Sequence, residues 1–471
     1  MTRPLTLILS ALSLALLAAG CTTVGPDYKG APAVAPGAMQ APHFARETTG
    51  TDAKAPVSAA WWRSFGDTTL DTLVDQALHD SPTLAAAQAR LRQARATLSQ
   101  RDAERLPTAS ASGLGLYLRQ APTTDHATTT QLYSLGFDAT WEADLFGGTR
   151  RSIEQASAQA EAVQADLADA QVSLAAEVVQ SYVALRAQQQ SQALWQEKAK
   201  LDEQAMVLAR QRRAAGVASA DELEQRETQR EATQASLADT AGQISASLDQ
   251  LALLTGQAPG ALDALLLTHA RALPSLPDEV PIGDPAELLQ RRPDIRAAER
   301  RLAASNAQIG QETAKYFPKL SLIGGLGLAG AHPSNLFSAS GLSLLGVPYL
   351  SWNVFDFGRT AAGVRQAEAG RDESIAKYQA AVLGALQDAN SALSRYGQHR
   401  QMLMHQEAQQ ASAQRSLALT QQRRQAGVAS DLDLFDAGRT RSDAQLKTLD
   451  GEAALLKDFV ALQKSLGLGW R

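Results

Sequence analysis

The 471-residue sequence predicts a mainly α-helical protein that is built from two structural repeats and carries four β-strands of the membrane type. Three observations predict this fold class. A nonapeptide occurs twice in nearly the same form, a very long segment lacks glycine and proline, and several shorter segments alternate apolar with polar residues. Together they indicate long helical hairpins joined to a small sheet, rather than one thick globular core.

The two repeats are related by a constant offset. The segment QRRAAGVAS begins at Gln211 and QRRQAGVAS begins at Gln422, so the offset is 211 residues. The same offset relates further identical residues along most of the chain: Pro82 and Pro293, Leu91 and Leu302, Pro107 and Pro318, Gly113 and Gly324, Trp141 and Trp352, Phe146 and Phe357, Thr149 and Thr360, and Gly256 and Gly467. Such regularity indicates a duplication without net insertion.

The first repeat contains a segment that predicts one very long helix. Neither Gly nor Pro occurs from Thr149 to Ala215, and a helix of that length would extend for about 100 Å. An amphipathic helix on a globular core is the alternative, but such helices are rarely so long without caps. Small or apolar residues recur at steps of three and four, which is typical of a left-handed coiled coil: Ile153, Ala156, Ala160, Val163, Leu167, Ala170 and Leu174.

Each nonapeptide predicts a tight turn between two antiparallel helices. A glycine can end the first helix with a positive φ, and the following serine can form a capping box with an acidic residue at the start of the return helix. These residues are Gly216, Ser219 and Glu222 in the first copy, and Gly427, Ser430 and Asp433 in the second. We therefore expect return helices over about residues 219–255 and 430–466.

Four segments have the period of two that is typical of β-strands: 110–119, 131–142, 320–329 and 342–352. Their length and alternation are typical of outer-membrane barrel strands, although the strands of a soluble sandwich alternate similarly. Four strands cannot close a barrel, and an open sheet edge cannot lie in hydrocarbon. If the strands enter a membrane, several chains must therefore share one barrel. Pro348 within the fourth strand predicts a bend or bulge near the barrel rim.

The N-terminus has the features of a secretory signal peptide. Arg3 provides a positive charge, an apolar stretch runs from Leu5 to Leu17, and LLAAGC ends at Cys21, the only cysteine. This ending resembles the lipobox of bacterial lipoproteins, in which the cysteine is acylated, while an ordinary free cysteine is the alternative. Because Thr22 follows instead of an aspartate, we expect the lipoprotein to be sorted to the outer membrane.

Composition and motifs argue against other classes of function. With 49 acidic and 44 basic residues, the chain has no general attraction for nucleic acid. The segment GLGLAG at 325–330 matches a dinucleotide-binding pattern, but AHPSN follows it instead of a helix start. The seven histidines form no pattern of metal ligands, and no catalytic motif is present. We expect no enzyme activity, metal or cofactor, apart from a covalent lipid on Cys21.

Four segments resemble TolC/OprM-like outer-membrane factors, specifically their lipoprotein (NodT-type) branch: WWRSFGDTTLDTLVDQAL from Trp61, LLQRRPDIRAAERRLAASNAQIG from Leu288, YFPKLSL from Tyr316 and LGLGW from Leu466. The similarity covers essentially the whole mature chain. It implies a TolC-like homotrimer, in which three chains of four strands form a twelve-stranded outer-membrane barrel that is continued by a periplasmic α-helical barrel.

The resemblance also implies a function. Such a protein is the passive exit duct of a tripartite efflux system, and it docks onto a periplasmic adaptor and an inner-membrane pump to release small toxic compounds or drugs. Two alternatives are a lipid-anchored periplasmic adaptor, which would have one hairpin flanked by lipoyl-like and β-barrel segments, and a lipid-anchored enzyme.

In this family the helix turns form a periplasmic tip that polar contacts close at rest. By position, the segment GVASDLDLFDA places Asp433 and Asp436 where TolC-like proteins have a pair of gate aspartates, and Asp221 has the comparable place in the first copy. Arg424 stands where TolC has a tyrosine contact, and Ala429 where it has an arginine. In a trimer each aspartate would form a ring that favours cations. Alternatively, these aspartates only sit in the first turns of helices, where the helix dipole favours negative charge.

These observations predict the following organisation. Residues 1–20 form the signal peptide, 21–60 the lipid anchor and an extended tether, 61–256 the first repeat, 257–271 an inter-repeat equatorial segment, 272–467 the second repeat, and 468–471 a C-terminal tail.

Overall fold

A computed structural model of the chain describes residues 23–52, 57–119, 129–268, 272–277, 279–287, 291–336 and 341–470. The predicted signal peptide, Cys21 and most of the loop at 121–130 lie outside the described residues.

The long elements alternate between helices and pairs of strands. In chain order they are α1 (Thr68–Asp80), α2 (Pro82–Ala103), β1 (Thr108–Arg119), β2 (Thr129–Ala143), α3 (Gly148–Ala214), α4 (Ala220–Leu254), α5 (Pro293–Ala314), β3 (Lys319–Gly330), β4 (Leu342–Ser351), α6 (Arg359–Gln425) and α7 (Asp431–Ser465). Shorter elements are the helices Pro36–Met39 and Asp263–Leu267, the 3-10 turns Trp61–Phe65, Pro285–Glu287 and Pro333–Asn335, and the parallel strand pair Thr51–Asp52 and Val280–Pro281.

The structure repeats at the offset that the sequence predicts. Helices α3 and α6 each have 67 residues, α4 and α7 each have 35, and α2 and α5 each have 22. Tertiary contacts repeat as well. The indole N–H of Trp141 donates to the carbonyl of Arg105 at 2.8 Å, and that of Trp352 donates to the carbonyl of Tyr316 at 2.9 Å. The prediction of two helical hairpins with four strands is therefore confirmed.

Two compact units are present, and each recruits segments from both repeats. One comprises residues 1–32, 90–164 and 297–379, as far as these are described, and the other comprises 33–89, 165–296 and 380–471. Among the described residues, no helix combines the length and the apolar character that crossing a membrane requires.

The first unit contains an antiparallel sheet of order β1-β2-β3-β4. Because directly opposite residues share a face, the register places Leu135 beside Leu328 and Phe137 beside Leu326 on one apolar face. The other face carries polar side chains, and the hydroxyl of Ser112 donates to Asp138 at 3.0 Å. Strands β2 and β3 therefore have the two-faced pattern that their sequence predicts, whereas β1 and β4 also place apolar side chains, such as Leu114 and Val347, on the other face.

The sequence predicts a bend or bulge at Pro348. The bulge is absent from the pairing of β4 with β3, so that part of the prediction is wrong. The register runs without interruption from Lys319 opposite Ser351 to Leu328 opposite Leu342, and it places Pro348 opposite Leu322. Proline lacks an N–H donor, but within the single chain β4 is at the edge of the sheet, where a missing donor is tolerated.

The second unit contains a large apolar core where the helices meet. The rings of Trp61 and Phe65 pack against Phe459, with centroid separations of 5.9 Å and 5.3 Å. Nearby, the buried hydroxyl of Tyr182 donates to Asp67 at 2.6 Å. Because Asp67 also accepts the first amides of α1, this contact ties a helix cap to the core.

Three of the segments that carry the family resemblance meet in this second unit. The guanidinium of Arg292 donates to the carbonyl of Ser465 at 2.9 Å, and the indole of Trp470 donates to the carbonyl of Arg291 at 3.1 Å. Gly469 lies against the indole nitrogen of Trp61, since a Cβ there would stand 3.6 Å from it. The segments WWRSF, RRPDIR and LGLGW thus have a shared structural role.

Candidate functional site

The turns that join α3 to α4 and α6 to α7 have the same backbone geometry. Gly216 and Gly427 both have a φ of 75°. In the first turn, the N–H of Gly216 donates to Arg213 and that of Val217 donates to Arg212, both at 2.9 Å, and the second turn has the equivalent pair of bonds. A side chain would be strained at this φ, so glycine is the residue that suits both positions.

The serine that follows each turn caps the return helix. The hydroxyl of Ser430 accepts from the amide of Asp433 at 3.2 Å, and the Asp433 carboxylate accepts from the amide of Ser430 at 2.8 Å, which completes a capping box. In the first turn, Ser219 accepts from the amide of Glu222 at 3.0 Å. The carboxylate of Glu222 lies 3.8 Å from the guanidinium of Arg212.

The capping hydrogen bonds stabilise the charged form of the Asp433 carboxylate. The backbone N–H of Ser430, followed by its hydroxyl, lowers the pKa of the exposed Asp433 carboxyl below its ordinary value. Asp433 is therefore ionised at neutral pH and bound to its own helix end. This placement fits the alternative in which the aspartate serves the first turn of a helix.

Asp436 is bound to a different helix. The guanidinium of Arg226 on α4 donates two hydrogen bonds to it, at 2.5 Å and 2.9 Å, and so joins α4 to α7. This bidentate arrangement is the strong form of the pair, and the bond to Asp436 is the main reason that the pKa of Arg226 is raised. About half of the Asp436 side chain is exposed.

The other two predicted gate residues have local partners. Asp221 accepts from the side-chain amide of Gln225 at 2.8 Å within α4. Arg424 pairs with Asp431 across the second turn. The structure thus places all four predicted residues at or just past the turns, but within one chain it does not bring the three aspartates together.

A second polar group lies farther from the turns, between α3, α4 and α7. The Asp202 carboxylate is fully buried, and it accepts from the hydroxyl of Thr233 at 2.6 Å and from the guanidinium of Arg439. One turn away, the ammonium of Lys198 donates to Asp443 at 2.5 Å. Sequence reasoning missed these residues and Arg226, because each pair joins residues that are far apart in sequence and have no local motif.

The N-terminal residues lie against the start of α3. The amide of Val24 donates to the carbonyl of Phe146 at 3.1 Å, and Arg151 donates to the carbonyl of Val24 at 3.1 Å and to Asp27 at 2.7 Å. Thr23 packs against Gly147, where a Cβ would stand 2.6 Å from its methyl group. The chain therefore begins its described path beside the end of β2, two residues after Cys21.

The remaining sequence candidates do not form a site in the described part of the chain. Residues 325–330, which match the dinucleotide pattern, lie within β3 and not at a helix N-terminus. Over the ranges that the structure describes, no group of three or more His, Cys, Asp or Glu residues could hold a metal ion.

Comparison with known proteins identifies the family. The model of the outer membrane efflux protein family matches residues 73–257 and again residues 285–468. The two matched segments correspond to the two structural repeats, and together they cover more than half of the chain.

Individual relatives match over nearly the whole length. The chain is 30% identical over 471 residues to the antibiotic efflux pump outer membrane protein ArpC of Pseudomonas putida, which covers 98% of this chain and 96% of that protein. It is 27% identical over 471 residues to the probable outer membrane lipoprotein SilC of Salmonella typhimurium, covering 98% of each. A solved structure of the outer-membrane channel OprN matches with a TM-score of 0.85 and 35% identity, over 95% of this chain and 100% of that one.

Proposed function

This chain belongs to the outer membrane efflux protein family, and we propose that three lipidated copies of it form the exit duct through which a pump releases small toxic organic molecules. The observation that carries this proposal is the match of both repeats to the family model, together with the fold of the OprN channel. The protein is an outer-membrane efflux component.

The comparisons favour the duct over the adaptor. The matched relatives are named as outer-membrane proteins, and the matched structure is that of a channel. The chain also has two hairpins and a four-stranded sheet, whereas an adaptor would have a single hairpin. The relatives are components of efflux systems, and we propose that this chain works without catalysis.

The open edges of the sheet support association of several copies. Among the described residues, strands β1 and β4 each have one edge without a partner strand. Such edges must be paired if the sheet lies in a membrane. The internal repeat supplies the pairing, because β4 is the counterpart of β2 and β1 is the counterpart of β3.

The register of β2 with β3 can therefore be transferred to β4 with β1 of the next copy. Ala139 opposite Gly324 becomes Leu350 opposite Gly113, and Trp141 opposite Leu322 becomes Trp352 opposite Ala111. Large side chains of one copy would then face the small Ala and Gly side of the next, which is a complementary surface.

An aromatic contact at the end of the sheet supports the same arrangement. Within the chain, the rings of Phe146 and Phe317 stack with their centroids 4.5 Å apart. Their counterparts at the open edges are Phe357 and Leu106, which are 100% and 68% exposed. We propose that Phe357 of one copy covers Leu106 of the next. Three copies of four strands give the twelve-stranded barrel that the family resemblance implies.

The position of the N-terminus supports lipidation of Cys21. Thr23 packs beside the end of β2, so a lipid on a residue two positions earlier would lie close to the sheet. The relative SilC is named as a probable outer membrane lipoprotein. Anchor and barrel would then enter the same membrane.

Substrate and partners are proposed from the relatives. ArpC is named as part of an antibiotic efflux pump, so we propose drugs and similar small organic toxicants as the exported class. We further propose that a periplasmic adaptor docks at the helix turns and connects the duct to an inner-membrane pump. Selection among compounds would then belong mainly to the pump.

We propose that the turn residues form the gate of this duct. Asp433, Asp436, Asp221 and Arg424 all lie at or just past the turns, and in a trimer each would form a ring around the pore. The bond between Asp436 and Arg226 would be one of the contacts that keep α7 at the pore. Replacing Asp433 and Asp436 together with Ala should raise single-channel conductance in planar bilayers, and unchanged conductance would count against the gate.

Deleting the gene in its native host would test the export function. We expect greater accumulation of a fluorescent cationic dye and greater sensitivity to several organic antibiotics, with both restored by the wild-type gene. The variant Cys21→Ser, made in the same plasmid, separates the contribution of the lipid from that of the barrel. Unchanged accumulation and sensitivity in the deletion strain would contradict the proposal.

A further inference from the structure

The polar group between α3, α4 and α7 is unusual because its central residue is a fully buried carboxylate. Asp202 has no exposed side-chain surface, yet both of its oxygens have partners, Thr233 on α4 and Arg439 on α7. A buried charge is costly unless it is paired and hydrogen-bonded, and removing one partner of such a pair is strongly destabilising. This group therefore favours the one arrangement of the three helices in which all its bonds form.

A second ion pair, one helical turn away, has its positive and negative residues on the opposite helices to those of the first. On α3, Lys198 precedes Asp202 by one helical turn, and on α7, Arg439 precedes Asp443 by one turn. Because α3 and α7 are antiparallel here, Asp202 faces Arg439 and Lys198 faces Asp443. We name these four residues the charged seam.

The order of charges in the charged seam discriminates against a slip of one turn. If α7 moved by one turn in one direction, Arg439 would face Lys198. If it moved in the other direction, Asp443 would face Asp202, and Lys447 would face Lys198. Both shifts oppose like charges, so the charged seam specifies the axial register as polar residues do in coiled coils.

The two helices are also very close beside the charged seam. A Cβ added at Gly438 would stand 3.0 Å from a methyl group of Leu201. Gly438 precedes Arg439, and Leu201 precedes Asp202, so the closest approach and the buried ion pair coincide. A small displacement here would lose both packing and pairing.

The other repeat lacks these charges. The counterparts of Asp202 and Lys198 are Ala413 and Gln409 on α6, and those of Arg439 and Asp443 are Thr228 and Ala232 on α4. The charged seam is therefore particular to the contact of α3 with α7 inside one chain. It is not a shared feature of the duplicated unit.

We propose that the charged seam fixes the axial register of α7 against α3. It thereby holds the turn residues Asp433 and Asp436 in place. Asp436 lies two residues before Gly438 along α7, so a change of register would carry it away from Arg226. The claim that the charged seam affects the gate depends on the proposed function, whereas the claim that it fixes the register does not.

Cysteine cross-linking of the full-length, detergent-purified protein measures the register directly. Leu201→Cys with Gly438→Cys reports the observed register, and Leu201→Cys with Ser442→Cys reports a slip of one turn. Both pairs are placed in the wild-type background and in Lys198→Asp, which sets a carboxylate against Asp443. Peptide mass spectrometry after mild oxidation identifies the linked pairs.

We expect Lys198→Asp to lower the ratio of observed to slipped cross-links by about fivefold, which corresponds to roughly 1 kcal/mol. The swap Lys198→Asp with Asp443→Lys should leave the ratio low, because in the slipped register its new lysine would face Asp202 and Lys447 would face its new aspartate. Gln409→Asp at the counterpart position should leave the ratio unchanged. If Lys198→Asp does not fold, Asp443→Ala replaces it, because this side chain is partly exposed. An unchanged ratio in the folded Lys198→Asp variant would overturn the proposal, as would a swap that restores the wild-type ratio.

Single-channel conductance of the same variants tests the effect on the turns. We expect Lys198→Asp and the swap both to raise conductance, and Gln409→Asp to leave it at the wild-type value. A changed register with unchanged conductance would overturn the positioning of Asp433 and Asp436. A wild-type protein without any conductance would instead contradict the proposed duct, and the cross-linking result would still decide the register.

Discussion

The two helical hairpins have the same lengths and turns, but their surroundings differ. In the first hairpin, α3 is covered near its end, and Met206 is fully buried. In the second hairpin, the corresponding part of α6 is more open: Leu417, the counterpart of Met206, is only half-buried, and Leu419 is 60% exposed. Duplicated sequences therefore produce the same local structure, while the neighbours of each copy decide which faces become buried.

This difference also separates two kinds of helix contact. The contact of α3 with α7 contains the charged seam, whereas its counterpart, α6 against α4 of a neighbouring copy in the proposed trimer, would contain Ala, Thr and Gln at the same places. We infer that each chain moves with α3, α4 and α7 together. The uncharged contact between copies would then be the one that parts when the turns open.

Removing the buried carboxylate should have the largest effect. Asp202→Ala leaves the guanidinium of Arg439 without its partner in the protein interior, and we expect a loss of about 3–5 kcal/mol in stability. The measurement is denaturant unfolding of the detergent-purified protein. Thr228→Ala, at the counterpart of Arg439, is the matched control and should change stability by less than about 0.5 kcal/mol. Equal losses of stability in Asp202→Ala and Thr228→Ala would contradict the claim that the contact of α3 with α7 differs from that of α6 with α4.

The proposed contact between copies gives the next prediction. Phe357→Ala and Leu106→Ala should each lower the temperature at which the trimer dissociates in detergent, because each removes one side of the same apolar contact. The double variant should lose less than the sum of the two single losses, as expected for residues that touch. Additive losses would show that Phe357 and Leu106 do not meet.

The smallest expected effect concerns the capping box of the second hairpin. The lowered pKa of Asp433 means that its capping contribution is present above the ordinary pKa of an aspartate and is lost as the pH falls through the lowered folded-state value. Asp433→Asn should remove this acid-dependent part of stability while keeping a side chain that can cap. Thermal unfolding of both proteins between pH 3 and pH 7 measures the difference, and identical pH profiles would contradict it.

Much of the fold could be predicted because the signals are local. The absence of Gly and Pro predicts a helix over 149–215, and the structure has it at Gly148–Ala214. Alternation of residues predicts the strands to within a few positions, and a glycine with a following serine predicts each turn. Each of these depends on residues that are near one another in sequence.

The contacts of the site could not be predicted in the same way. Arg226 and Asp436 are 210 residues apart, and their pairing depends on how two return helices pack. The family resemblance singles out Asp436, but nothing in the sequence distinguishes Arg226 from the other charges of its helix or indicates that it is the partner of Asp436. The prediction of a bulge at Pro348 was wrong for a related reason. Whether a proline disrupts a strand depends on the place of that strand in the sheet, which only the topology reveals.

Native mass spectrometry of the protein extracted from the outer membrane in detergent tests the central claim most directly, because it reports the number of subunits and the mass of the N-terminal lipid together. The account predicts three copies, each acylated at Cys21. An unlipidated monomer that is released without detergent would contradict the shared barrel and the duct.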